Sequence, residues 1–422
     1  MNLINKNSLY LIFEKGIKFI NGVIVSAILA RYFGPEQFGI FNTNVAIVML
    51  FYPIVMLGTR DVLIYELKRN KEKISTILTI CSISFIVALS CYIIIIFYDC
   101  YYNKVPIDQL SILKIISLSL FLLALEPLFS LVISEEKGNF VLIAGILQTI
   151  FSLISKLMLV YLNGDLNQLG LIFFLELVSY YLIFFIYFTN KTMRDKKLSH
   201  SFLDKEKTKK ILKQSLPLMI SGLLSSAYMR LDILMIEYFL GYSYVGQYSL
   251  AVRLIESIYF IPAMLVLALY PKLIDAFNHN DKYLFNKISK NIFKLTFLLS
   301  ILFLIFYFLF AKIICDILFG PEYYLVHNIV YIYGSVMIFT FQVFFIEKLI
   351  FMKFGSKLVF YSVLSALIFN ILSNFLLIPI FGVYGAAYST IISQLISCFL
   401  FYYIHPRTRE TISNLFISLF KK

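Results

Sequence analysis

The chain has 422 residues, 60% of them hydrophobic and 14% charged, and carries a formal net charge of +13. Soluble domains carry about 25% charged residues, so this composition excludes a water-soluble globule. The basic residues lie in short loops between long apolar runs rather than on one polar face, which argues against a nucleic-acid partner. Apolar runs of about 20 residues recur from end to end, the length that crosses roughly 30 Å of hydrocarbon. They are continuous rather than alternating, and far longer than barrel strands of about 10 residues. Backbone groups in lipid must bond within their own segment, so these runs are expected to be helices.

Twelve spans are predicted, at roughly 8–33, 40–64, 74–97, 110–133, 139–161, 168–189, 212–239, 245–270, 288–310, 325–350, 358–379 and 382–404. The first carries Glu14, Lys15, Lys18 and Asn21. Glu14, Lys18 and Asn21, at i, i+4 and i+7, share one helical face, and Lys15 flanks it. A charge at the centre of a span costs about 2.5–3.5 kcal/mol, so it should face a cavity or a partner. The alternative for the two lysines is snorkelling to the headgroups, and both readings stay open.

Arg31 stands at the edge of this span, before the tight turn Gly34-Pro35-Glu36-Gln37-Phe38-Gly39. The turn returns about 207 positions later as Gly241–Gly246. In both copies an aromatic stands two residues past the second glycine, Phe41 and Tyr248, and a proline interrupts the next span, Pro53 and Pro262. Repeats of this kind mark transporters built from two related halves.

Glu126 beside Pro127, Lys156 and Glu176 are single charges within spans. Arg60-Asp61 and Glu347-Lys348 lie near span ends and are expected to anchor at the interface. The longest polar stretch, within 191–211, reads as a solvated linker between an N-terminal lobe, 1–190, and a C-terminal lobe, 212–404. Span seven carries Arg230 and Asp232, and span eight carries Arg253 and Glu256 one turn apart. Asp232 is expected at the depth of Arg253, as its ion-pair partner or as a coupling-ion site. The tail 405–422, with Ile412, Leu415, Phe416 and Leu419, is expected to form an interfacial amphipathic helix.

Loop charge sets the expected orientation. One set of loops holds Lys68, Arg69, Lys137, Lys191, Arg194, Lys207, Lys272, Lys282, Lys353 and Lys357, whereas the alternate loops hold little beyond Lys104 and Lys312. This positive-inside bias places both termini in the cytoplasm and implies an even number of spans. No P-loop, HExxH or GxSxG pattern occurs, and the five cysteines show no metal spacing. The four histidines fall in or beside loops. No cofactor and no metal site is expected.

The stretch Ala30-Arg31-Tyr32-Phe33-Gly34-Pro35-Glu36-Gln37-Phe38-Gly39 resembles the first-turn signature of the Wzx-type polysaccharide flippases of the MOP superfamily. So do Leu216-Pro217-Leu218, Tyr228-Met229-Arg230-Leu231-Asp232, the block Val245–Glu256, and Tyr270-Pro271-Lys272. Phe319-Gly320-Pro321-Glu322-Tyr323 and Phe381-Gly382-Val383-Tyr384-Gly385 also match the habits of the family. The resemblance implies an all-α membrane protein with two related six-helix lobes around a central cavity. It implies flipping of undecaprenyl-pyrophosphate-linked oligosaccharide repeat units, such as O-antigen, across the inner membrane, coupled to a proton or sodium gradient. A polysaccharide polymerase and a chain-length regulator would be partners, alongside membrane lipid.

An anionic pyrophosphate calls for cations at depth, which Lys15, Lys18, Arg31 and Arg253 can supply. Asn21 is a further cavity candidate, and Glu14, Asp232 and Glu256 are candidates for an ion pair or for the coupling ion. The lysines have no counterpart in the second half, since at the repeat offset they fall on Gly222 and Ser225. Two alternative functions fit the sequence less well. A cation-coupled multidrug exporter should favour cavity carboxylates, against the lysine-bearing first span. A membrane glycosyltransferase or polysaccharide polymerase should show a large loop or an attached catalytic domain, and the outward loops are short.

Overall fold

The computed structural model describes residues 6–69, 73–106, 109–195 and 205–420. All regular structure among them is helical, with no strand. Eleven helical stretches are long and apolar enough to cross a membrane. The first, Phe13–Lys68, runs 56 residues and holds the first two predicted spans, so the count agrees with twelve.

Helix α1, Lys6–Val55, is broken at Gly34, where φ is 71° and ψ 173°. It stops two residues past Pro53, at a turn where Leu57 and Gly58 have positive φ, and α2, Arg60–Arg69, follows. A proline inside a helix removes one N–H, so the carbonyl four residues earlier loses its donor. Here that carbonyl is Met49's, and the Ser226 hydroxyl donates to it at 2.9 Å. Lipid offers no replacement donor, so a side chain must supply one.

Helix α3 covers Lys73–Tyr102. The fourth predicted span is three short pieces, α4 (Ile112–Ser117), α5 (Ser119–Leu123) and α6 (Glu126–Ser134). Pro127 sits in the first turn of α6, where a missing N–H does no harm. Helices α7 (Gly138–Tyr161) and α8 (Leu166–Asp195) complete this part. Of the expected linker 191–211, residues 196–204 lie outside the described residues, and the rest extends α8 and opens α9, Lys205–Leu240.

The second glycine turn separates α9 from α10, Tyr242–Glu256, and α11 is Phe260–Asn278. The break between α10 and α11 falls just before Pro262, whose ring disfavours a helical carbonyl at Ile258. Helix α12, Lys282–Phe319, is followed by α13 (Val326–Tyr333), α14 (Met337–Phe354) and α15 (Ser356–Phe381). Helix α16, Val383–Leu395, continues through a π-turn, Ile396–Leu400, into α17, Phe401–Ile404, and α18 is Arg409–Phe420.

Contacts group the chain into two compact units. One comprises Gly22–Gly39 with Leu231–Lys422, and the other Ile4–Asn21 with Ile40–Arg230. This grouping differs from lobes of 1–190 and 212–404 in where it puts 22–39 and 212–230.

Within the first unit the repeated glycines have distinct jobs. Gly34 and Gly241 turn the chain with nearly the same backbone angles, φ 71° and 90°, ψ 173° and 174°. A positive φ of this kind favours glycine. Gly39 and Gly246 allow contact. A β-carbon on Gly39 would run into the Tyr242 carbonyl, and one on Gly246 into the Pro35 carbonyl. The two turns thus touch each other reciprocally, each through the second glycine of its own copy.

The tail helix corrects one expectation. Helix α18 forms, but its apolar residues are not spent on lipid. Ile412 and Leu415 are 1% and 3% exposed. They join a core with Phe293, Phe345, Ile350 and Phe399, and the Phe416 ring meets Phe293 and Phe399. The amphipathic pattern is real, yet protein covers its apolar face.

Candidate functional site

The second unit holds a cluster of charges drawn from α1, α2 and α6, with uncharged residues of α7 and α8 packed against it. Glu14 and Lys18, one turn apart on α1, form an ion pair at 2.5 Å, with side chains 8% and 33% exposed. The Lys18 ammonium also lies 3.8 Å from the centre of the Tyr180 ring on α8. Gly145 on α7 makes room for this carboxylate, because a β-carbon there would strike the Glu14 side chain. Asn21 is half-buried and Lys15 exposed on the same helix.

Arg60 opens α2 and pairs with Glu126 at the start of α6, Nε to Oε1 at 3.1 Å, with side chains 51% and 5% exposed. Arg60 was expected to anchor at the interface and Glu126 to stand alone, so this pair corrects both readings. The Tyr181 hydroxyl donates to the other Glu126 oxygen at 2.8 Å, and the Arg60 guanidinium stacks over Phe129 at 4.2 Å. Lys18 lies within electrostatic range of Arg60 and Glu126. The arrangement is one of two buried carboxylates, each holding a cation, with the Arg60 side chain half exposed and that of Lys18 one-third exposed beside Tyr180. Arginine's planar fork suits a phosphate, and a lysine adds a mobile point charge.

Lys156 and Glu176, also expected to stand alone, pair at 2.5 Å between α7 and α8, with Ser152 3.0 Å from the ammonium. Both are largely buried, with side chains 9% and 12% exposed, so this pair ties two helices together and offers no open face.

The first unit holds the remaining candidates in three places. Arg31 donates to the carbonyls of Leu318, at 2.9 Å, and Ile317. These lie at the C-terminal end of α12, where a cation offsets both unpaired carbonyls and the negative end of the helix dipole. Arg253, exposed on α10, donates to the Ser26 hydroxyl at 2.5 Å, which in turn donates to the Gly22 carbonyl at 2.7 Å. Glu256 is half-buried at the end of α10.

Asp232 is 6% exposed and does not pair with Arg253. Its Oδ1 accepts from Asn374 at 2.6 Å, and its Oδ2 lies 2.9 Å from the Tyr248 hydroxyl and 2.8 Å from the Thr390 hydroxyl. Asn374 also donates to Asn370 at 3.0 Å. Both asparagines are fully buried, and among the described residues the Asn374 oxygen has no hydrogen-bond partner. Among the described residues no three His, Cys, Asp or Glu side chains form a metal-binding group. One carboxylate amid neutral oxygens suits a single positive charge, a proton or a monovalent cation, since hard cations take oxygen ligands.

Residues 4–277 match the model of a family described as polysaccharide biosynthesis protein. The chain belongs to the polysaccharide biosynthesis protein family. Its fold is similar to the lipid II flippase MurJ in an inward closed conformation, with a TM-score of 0.72 and 16% identity over 98% of this chain and 90% of that one. An inward-facing multidrug resistance MATE family transporter of the MOP superfamily gives a TM-score of 0.67 at 14% identity, covering 98% and 96% of the two chains. A MOP superfamily transporter from Pyrococcus furiosus, described as having a binding pocket of reverse polarity, gives 0.59 at 13% identity, covering 96% and 95%. No curated protein matches the sequence. This member of the polysaccharide biosynthesis family is therefore a multi-pass helical membrane protein whose fold is similar to that of the MurJ and MATE structures.

Sequence reasoning missed Arg60, Tyr180, Tyr181 and Gly145 around the Lys18 cluster, and Asn370, Asn374 and Thr390 around Asp232. A readable signal existed for the last group. Two asparagines one turn apart inside an apolar span are costly unless they share a polar partner.

Proposed function

We propose that this protein flips an undecaprenyl-pyrophosphate-linked oligosaccharide repeat unit, of O-antigen or a similar surface polysaccharide, from the inner to the outer leaflet of the cytoplasmic membrane by alternating access. One observation carries the reading. Lys18 and Arg60, each backed by a buried carboxylate, keep an open cationic face among apolar spans. That is the chemistry an anionic pyrophosphate needs where water is scarce. Membership of the polysaccharide biosynthesis family supports a glycan-bearing cargo, and likeness to a lipid II flippase supports a lipid-linked one. Asn21, on the same helix as Lys18, would add a polar contact for pyrophosphate or sugar, whereas Arg31 would hold α12 in place. The flipped unit would pass to a polysaccharide polymerase and its chain-length regulator. The excess of basic residues in one set of loops supports cytoplasmic termini. Deleting the gene should leave undecaprenyl-linked oligosaccharide on the inner face, detected by mass analysis of the lipid extract. Unchanged surface polysaccharide in the deletion strain would sink the proposal.

Coupling to a cation is assigned to Asp232. Its carboxylate is buried among Asn370, Asn374, Tyr248 and Thr390, with an amide oxygen left unpartnered. A proton or sodium ion bound there would neutralise a charge that is otherwise costly in a span. Saturating sodium is expected to raise the thermal midpoint of the purified protein, as any ligand of the folded state does. Asp232→Asn should abolish that rise. If neither sodium nor pH moves the midpoint in the native protein, Asp232 has a structural role alone.

A further inference from the structure

A cavity of about 360 Å³ opens at the basic-loop end of the first unit, between the start of α12, the end of α14 and the tail helix α18. Sites for small ligands run from about 300 to 1,000 Å³. Three cations line the cavity, Lys282 and Lys290 from α12 and Lys353 from α14. Lys353 is 3.4 Å from the Thr411 hydroxyl and lies over the Phe285 ring, but Lys282 and Lys290 make no ion pair among the described residues. Two carboxylates share the lining. Asp281 is occupied as the cap of α12, accepting from the Leu284 amide at 2.9 Å, and Glu410 stands on α18.

A second observation points to a ligand. Ser289 lines the cavity one turn before Phe293, is 4% exposed, and its hydroxyl has no hydrogen-bond partner among the described residues. A buried hydroxyl left unbonded is costly, and an acceptor oxygen within the cavity would satisfy it. The first turn of α12, a helix of 38 residues, adds the positive end of a long dipole.

We infer that this cavity binds a phosphate group, with Lys282, Lys290 and Lys353 neutralising its charge and Ser289 donating to one oxygen. The cavity sits where spans end and basic loops begin, which gives the phosphate two sources, an anionic lipid headgroup or a free phosphorylated solute. Occupancy would fasten α18, which contributes Thr411 and Asn414 to the wall, against α12 and α14. Closure of the tail helix would then depend on the phosphate supply at that face. This is separate from the cargo site and does not rest on its assignment.

The test is hydrogen–deuterium exchange of residues 409–420 in the full chain. One arm compares nanodiscs of phosphatidylcholine alone with nanodiscs containing phosphatidylglycerol. The other adds glycerol 3-phosphate to detergent-solubilised protein. Exchange of α18 is expected to slow about tenfold when a ligand is present. Slowing in the lipid arm alone identifies a headgroup, and slowing in both arms shows that a free phosphate also enters. Ser289→Ala, which removes only a hydroxyl, should weaken the ligand's effect about tenfold, and Lys282→Gln with Lys290→Gln should remove it. Equal exchange in every condition, or slowing that persists in both variants, overturns the inference.

Discussion

Gly246→Ala is expected to remove most folded protein from the membrane, although it adds a single methyl group. The methyl would enter the Pro35 carbonyl. That obstacle is backbone, held within the Gly34–Gly39 turn, so no flexible side chain can move aside. The opposite contact, Gly39 on the Tyr242 carbonyl, blocks relief by sliding, because any shift that frees one glycine presses the other. Overpacking a fixed contact costs about 1–3 kcal/mol, and the reciprocal geometry puts this case at the upper end. Gly16→Ala is the control. Gly16 lies within α1 with nothing within 4 Å of an added β-carbon. Alanine there should be neutral or stabilising by up to about 1 kcal/mol through helix propensity. Gly241→Ala should fall between them, because it meets no neighbour but must hold a φ of +90°. Detergent-solubilised protein, scored by size-exclusion profile and thermal midpoint, reads the series. Equal midpoints for the Gly246 and Gly16 variants would show that the turns do not depend on that contact.

The glycine turns also show how far the sequence could be read. Spacing alone revealed two copies, and the first glycine of each copy proves to have nearly the same backbone angles. The reason for the second glycine was hidden, since it lies in the other copy, about 207 residues away. Charge pairing failed for the same reason. Glu14 with Lys18 is a one-turn relation and could be seen, whereas Arg60 with Glu126 and Lys156 with Glu176 cross between helices. A single apolar helix carries no mark of which neighbour faces it. Asp232 illustrates a wrong inference from depth. Charge attraction suggested Arg253, but the carboxylate found three uncharged donors on α10, α15 and α16. The tail pattern was legible and its partner was not, because an amphipathic face reads alike whether lipid or protein covers it.

The Arg60–Glu126 pair separates folding from transport, since each partner can be removed alone or together. Arg60→Ala should lower both protein abundance and surface polysaccharide. It leaves the Glu126 carboxylate, 4% exposed, facing Tyr181 without its cation. Breaking a buried pair from one side costs about 3–5 kcal/mol, and half-exposure of Arg60 places this case near the lower figure. Adding Glu126→Gln removes the stranded charge and keeps an acceptor for the Tyr181 hydroxyl. The double variant is therefore expected to regain most of the lost abundance, because a pair replaced by neutral groups often costs little. Transport should not return with it. The open face of the guanidinium, at 51% side-chain exposure, is what a pyrophosphate would engage, and glutamine and alanine supply no charge. Arg60→Lys over native Glu126 should retain part of both, since it keeps the charge but loses the planar fork. Quantitative immunoblotting of membranes beside a surface-polysaccharide assay distinguishes the outcomes. A double variant with normal abundance and normal polysaccharide would reduce Arg60 to a structural partner of Glu126 and leave Lys18 to account for the anion.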